Sequence, residues 1–221
     1  MDKKVFLVKK QHILRFLLYL LGVNCMALGT TLNAKTGLGL GTITSLPNAA
    51  SLWLGMRLST AVLILYCLMI LAQFLMKGRN RSWWDLLQLP TSFLFSAYLE
   101  LFDRLPLDFP HLWQNLLMMA AASCITGIGV SITVNMELAP NPPDGLAYTA
   151  ANILQRDMGL VKNVLDAFCV IGAVTIDLLS CGRLRSVGIG TVWAMIFIGR
   201  TVSVFNRLFQ KKIRRLVGLQ A

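Results

Sequence analysis

The chemistry of this chain centres on Asp166, which falls in an apolar stretch from Val161 to Cys181 together with Lys162 and Asp177. A carboxylate in such a stretch is costly unless it faces a bundle interior or a wet cavity. Lys162 lies one helical turn before Asp166, so the two can pair on one helix face. Asp177 is eleven positions further on, about 20° around a helix of 3.6 residues per turn. One face thus carries Lys162, Asp166 and Asp177, a pattern suited to an ion or substrate site. The plain alternative is a set of interfacial charges, and Asp177, close to the end of the stretch, fits it. Arg200 follows the uncharged run from Ser186 to Gly199. It can pair with Asp177, bind an anionic group, or snorkel along its own stem. Asp144 follows Pro142-Pro143 and precedes the apolar run from Gly145 to Leu154. It can cap a new helix, or ligate a cation or proton in a loop that dips into the bundle.

Other chemistries find no support. The run Gly37-Leu38-Gly39-Leu40-Gly41 is not GxGxxG between strand and helix, and no Lys-Ser/Thr follows it. Its glycines suit a tight, buried turn. There is no HExxH or GxSxG, and the two histidines, His12 and His111, sit at segment ends. We therefore expect no catalytic residue, no enzyme activity and no cofactor. Four of the five cysteines lie inside apolar runs and no two form a CxxC, so neither a disulfide nor a metal site is expected.

The elements that must position these residues follow from composition. Of 221 residues 56% are hydrophobic and 14% charged, a balance that cannot cover a soluble surface. The net charge of +11 is gathered at the ends of apolar runs, as at Lys77, Arg79 and Arg81 and from Arg207 to Arg215. That placement suits cytoplasmic anchoring, not nucleic acid. Six apolar segments can be read: 13–32, 58–76, 86–99, 112–136, 161–181 and 186–199. The third and sixth are short for a span of about 20 residues and need their flanks. The first reads as an uncleaved span, because its apolar stretch is too long for a secretory signal. The stretch from Phe205 to Leu219 reads as a separate interfacial helix. The fold class expected is an all-α polytopic bundle.

The chain also repeats itself at a shift of roughly one hundred residues. Ala27-Leu28-Gly29 matches Gly127-Ile128-Gly129, the Gly-rich loop matches the Pro-rich loop at 140–145, and Asn48-Ala49-Ala50-Ser51 matches Thr149-Ala150-Ala151-Asn152. Gly78-Arg79-Asn80-Arg81-Ser82 matches Gly182-Arg183-Leu184-Arg185-Ser186. The halves are 1–107 and 108–221, each with three segments; an odd number inverts one against the other, a common transporter plan. Six spans with both termini cytoplasmic put Glu100, Asp103 and Asp108 outside. A rival topology makes segments three and six re-entrant, leaving four spans. The first half has no acid matching Asp166: Ala61 sits nearby in the alignment, and Arg57 roughly matches Lys162.

Several motifs have a familiar form. Gly-Leu-Gly-Leu-Gly-Thr-Ile-Thr-Ser-Leu-Pro at 37–47 resembles the first-loop motif of the YczE/YitT-like bacterial membrane proteins. Asn-Pro-Pro-Asp-Gly-Leu at 141–146 is similar to their second-half Pro-x-Asp-x-Leu motif. Lys162 with Asp166, Gly188-Ile189-Gly190-Thr191 and Gly199 resemble the same pattern. The resemblance implies a multi-span bacterial inner-membrane protein and says little about activity.

Two functions compete at this level. One is a small secondary transporter with Asp144, Lys162, Asp166, Asp177 and Arg200 at a substrate or ion site. The other is an accessory or regulatory membrane protein serving a membrane-associated enzyme or biosynthetic complex. Expected partners are the lipid bilayer and a small solute or ion, with a homodimer or partner membrane protein possible and no nucleic acid.

Overall fold

The computed structural model of the chain describes residues 2–78, 83–107 and 110–219, with side chains from Gln11 onward except at positions 83 and 84. Arg79 to Ser82 of one repeat match, and Asp108, lie outside the described residues.

The apolar runs fold as helices because a backbone deprived of water must satisfy its own N–H and C=O groups. They are α1 (Asp2–Lys35), α3 (Leu58–Lys77), α4 (Gln88–Asp103), α5 (Leu112–Met136), α7 (Met158–Cys181) and α8 (Ile189–Leu216). Two further helices, α2 (Thr42–Leu54) and α6 (Pro142–Leu154), follow the Gly-rich and Pro-rich loops. There is no strand among the described residues. Five helices are long and apolar enough to cross a membrane: α1 from Gln11 onward, α3, α5, α7 and α8. The α4 helix, expected at 86–99, has 16 residues, about 24 Å at 1.5 Å per residue. The outward faces of α7 and α8 are apolar, with Val164, Phe168, Ile171, Val192 and Val204 exposed. Lipid is the solvent for such a surface, and this is a multi-pass membrane bundle.

Two expectations need correction. The segment from Phe205 to Leu216 is not a separate interfacial helix; it continues α8, a single helix of 28 residues. Nothing between Gly199 and Phe205 breaks it, since one glycine in a helix is tolerated. The same length rules out a re-entrant segment six. The short elements are instead α2 and α6, of 13 residues each, about 20 Å or two-thirds of the hydrocarbon core. Reading the loops through to Pro47 obscured α2, which accommodates that proline internally.

Local signals set the ends of the short helices. Pro142 and Pro143 occupy the first positions of α6, where a missing N–H costs nothing. Gly55 and Gln155 end α2 and α6 in the left-handed conformation, at φ 65° and 51°. Asp157 then accepts from the Leu160 amide at 3.1 Å to start α7. Helices α2 and α6 begin 100 positions apart, as do α3 and α7. This offset sets Tyr66, not Ala61, against Asp166, and Val62, not Arg57, against Lys162.

Helices α1 and α5 cross antiparallel at the centre, Gly22 meeting Thr133 and Gly129, and Gly29 meeting Thr126 and Ala122. Small residues let the two backbones approach closely. Arg15 reaches the carbonyls of Met136 and Glu137, the latter at 2.7 Å, closing the exposed end of α5. Arg214 of α8 pairs with Glu137 at 2.7 Å, and Gly218 lies against Gln11. The start of the described side chains in α1 and the end of α8 therefore share one end of the bundle. At the other end Lys35 meets Asp103 and Arg57 meets Glu100. The α4 helix packs on α1, α8 on α5, α3 on α6 and α2 on α7.

Candidate functional site

Both short helices begin inside the bundle and end at its surface. Thr42 lies by Asp166 and Leu46 against Gly172, so α2 follows α7 outward to exposed Leu54. Likewise, the carbonyl of Pro142 accepts from buried Gln73 at 3.1 Å, and α6 runs to exposed Leu154. The starts of both helices open on a cavity of about 390 Å³. Gly41 and Thr42 to Thr44 come from the cap and first turn of α2; Asn141, Pro143 and Asp144 from the cap and start of α6; Tyr66 and Phe95 from the first half; Lys162 and Asp166 from α7. The first N–H groups of a helix lack intrahelical partners and carry partial positive charge, so the start of α2 presents donors here, whereas the prolines at the first two positions of α6 have none to offer.

The charged residues are arranged differently from the spacing-based expectation. Lys162 does not pair with Asp166, its neighbour one turn on; its ammonium is bound to Asp144 of α6. Asp144 makes no side-chain cap of α6. Its carboxylate faces across to α7. Asp166 has the Thr42 hydroxyl beside it, while its Oδ1 is buried without a hydrogen-bond partner. Asn33, only 6% exposed, also lines the cavity, and its Oδ1 is likewise unpartnered. Buried polar atoms are nearly always paired, with protein or with ordered water, so these two acceptors mark a polar part of an otherwise largely apolar cavity. Two carboxylates against one ammonium leave the cluster with a formal excess of negative charge.

A second cavity of about 280 Å³ extends from Thr133 to the 137–141 loop and shares Asn141 and Asp144 with the first.

Three of the five expected site residues, Asp144, Lys162 and Asp166, meet at this cavity. The other two lie elsewhere. Asp177 is 1% exposed and accepts from the amides of Arg185 and Ser186 at 2.8 and 2.7 Å and from the Ser186 hydroxyl at 3.1 Å. It ties the α7–α8 loop to the end of α7. Replacing it by Ala strands those donors, and we expect Asp177→Ala to lower stability by about 2–3 kcal/mol in detergent unfolding without changing ligand affinity in the cavity. Of the readings open for Arg200, contact with Asp177 is absent: Arg200 is exposed, with its guanidinium 5.8 Å from the Phe197 ring centroid. One turn of α8 brings Arg200 to Phe197, while Asp177 is saturated by its own loop. Arg57 is engaged by Glu100 and does not line the cavity.

The Gly-rich motif positions α2. Gly39 has φ +103°, and a Cβ there would stand 2.5 Å from the Gly188 nitrogen. Gly190 donates to the Leu38 carbonyl at 2.8 Å, and Leu40 to that of Ser186 at 3.1 Å. The two glycine motifs dock backbone to backbone, which no larger residue at Gly39 permits. Asn33, Thr42, Tyr66 and Phe95 escaped the sequence reading. An amide in the apolar run before Lys35 was a signal for Asn33, though Asn24 shares it, and the offset of 100 was a signal for Tyr66.

A bundle of membrane-crossing helices, with two short helices starting at a shared internal cavity, defines a multi-pass membrane protein with charged residues in the wall of that cavity. The chain belongs to a family of unknown function, DUF6198, whose profile matches residues 13–207. Neither a curated protein nor a solved structure matches it.

Proposed function

We propose that the chain is a small secondary transporter that carries a solute through the cavity between α2 and α6. The observation that supports this best is the buried, unpartnered Oδ1 of Asp166 in a chamber entered by two helix starts. Transporters hold substrate where broken or short helices from two repeats meet. An accessory protein has no need of such a chamber. The likeness to YczE/YitT-like proteins, carried by the loop motifs and the Lys162–Asp166 spacing, belongs to the same proposal.

The reading includes an inverted duplication, α1–α4 against α5–α8. Exchanging the halves carries α1·α4 into α5·α8, α2·α7 into α6·α3, and α2·α3 into α6·α7. The central pair, α1 and α5, is antiparallel, as a two-fold axis in the membrane plane requires. Lys77 binds Asp85 at 2.8 Å where Asp177 binds the Arg185 amide, the same positions 100 residues apart with the charges reversed.

The end bearing Arg15, Lys77, Arg207 and Lys212 is the cytoplasmic one in this reading, because cytoplasmic ends concentrate Lys and Arg. A membrane-impermeant thiol reagent on intact bacterial cells should label Arg104→Cys and spare Lys212→Cys, in a background freed of native cysteines. The reverse pattern would invert the orientation. Function is tested by solute flux into proteoliposomes, with and without a pH gradient, over a metabolite panel. Accumulation that an Asp166→Asn protein lacks supports transport. A tight vesicle that moves nothing in the panel favours the accessory role.

A further inference from the structure

Positions 66 and 95 line the cavity, and so do positions 166 and 195, one hundred residues on. In the first half Tyr66 stacks on Phe95, centroids 5.7 Å apart, and α3 packs against α4. In the second half the corresponding residues are Asp166 and Met195. Helices α7 and α8 do not pack along their length as α3 and α4 do. Met195 is 60% exposed, Gly199 is exposed with open space around its Cα, and both also line the cavity. The seam that aromatics close on one side is open on the other, toward the apolar exterior.

The chemistry of the chamber selects what could enter. Lys162 is committed to Asp144, so the Asp166 carboxylate is surplus negative charge. The two unpartnered polar atoms in the wall, Asp166 Oδ1 and Asn33 Oδ1, are both acceptors. Asn33 is buried and lines the cavity from α1, independently of Asp166 on α7. The rest of the wall is mostly apolar, with an aromatic pair that favours cations. The volume is in the range of small-molecule sites.

We propose that the cavity binds a protonated amine with an apolar body, admitted from the bilayer through the α7–α8 seam. This rests on the transporter reading for its direction of travel, but binding is testable without transport. An amine supplies the N–H donors that the two acceptors lack and the positive charge that Asp166 lacks. Its apolar body lies against Tyr66, Phe95 and Met195. A quaternary ammonium supplies charge without donors and is the weaker ligand. A carboxylate would meet the start of α2 but also the surplus negative charge.

The test is equilibrium dialysis with the purified full chain in nanodiscs, using phenethylamine, its trimethylammonium analogue, propylbenzene and 3-phenylpropanoate. Phenethylamine should bind at least about tenfold more tightly than each of the other three, about 1.4 kcal/mol. Asp166→Asn should erase that preference, Asn33→Leu should weaken amine binding severalfold, and, in a time-resolved filter-binding assay of labelled phenethylamine, Gly199→Trp should slow association. If Asp166→Asn does not fold, Asp166→Glu and the thermal shift of the unaltered protein by amine against propylbenzene decide. Equal binding of propylbenzene or of the trimethyl analogue, preference for the carboxylate, an undiminished preference in Asp166→Asn, or unaltered association in Gly199→Trp overturns the proposal. Amine binding without flux in proteoliposomes leaves the site standing and removes the transporter reading. Flux of another solute class without amine binding does the opposite.

Discussion

Asp166→Asn is expected to abolish solute uptake in proteoliposomes, by roughly tenfold or more, while the purified protein remains folded. The side chain keeps its shape and its place beside Thr42 but loses its charge. Its Oδ1 makes no bond within the described protein, so little internal structure depends on the ionised form. That separates it from Asp144, whose carboxylate holds Lys162. Asp144→Asn leaves an ammonium without its partner, and breaking a part-buried pair from one side is destabilising. The double change Asp144→Asn with Lys162→Met should recover much of that stability, because neither charge then remains. Were Asp166 structural instead, Asp166→Asn would lower the unfolding temperature as Asp144→Asn does, and the uptake loss would follow loss of protein. Uptake per folded molecule, with size-exclusion profiles and unfolding temperatures measured in parallel, distinguishes the two cases.

The largest effect on the fold itself is expected at the α1–α5 crossing. A Cβ on Gly29 would stand 2.2 Å from the Thr126 hydroxyl and 2.6 Å from the Ala122 carbonyl. One on Gly129 would stand 2.6 Å from the Gly22 carbonyl and 2.7 Å from the Met26 nitrogen. Those neighbours include backbone, which cannot rotate away. Gly29→Ala and Gly129→Ala should each cost about 1–3 kcal/mol, the usual range for overpacking. Gly29→Leu should force the helices apart and leave little monodisperse protein. Gly199→Leu is the control, since its Cβ meets nothing within 4 Å and surface changes stay within about 0.5 kcal/mol. If Gly29→Leu extracts and unfolds like the unaltered chain, the close crossing is wrong.

The sequence alone determined the solvent and the main elements of this protein. Long apolar runs suit lipid, and uninterrupted runs of that length satisfy their own backbone there as helices; all six expected segments appear as helices. It also picked out Asp144, Lys162 and Asp166, because a charge in an apolar run is costly enough to need a reason. The tertiary structure decided what those charges do. One-turn spacing paired Lys162 with Asp166, but spacing within a helix says nothing about what a neighbouring helix brings, and α6 brings Asp144 closer. The same holds for Asp177, whose partners are loop amides that no side-chain pattern encodes, and for Arg200, which faces outward. Helix α6 was legible as the new helix that Asp144 could cap, but α2 was hidden, because its 13 residues begin at a Gly motif of the kind that ends helices and contain a proline. Both persist because the backbone docking of Gly39 on Gly188 and of α6 on Gln73 holds their starts inside the bundle. Whether a loop re-enters depends on that docking, which is a property of two distant segments together.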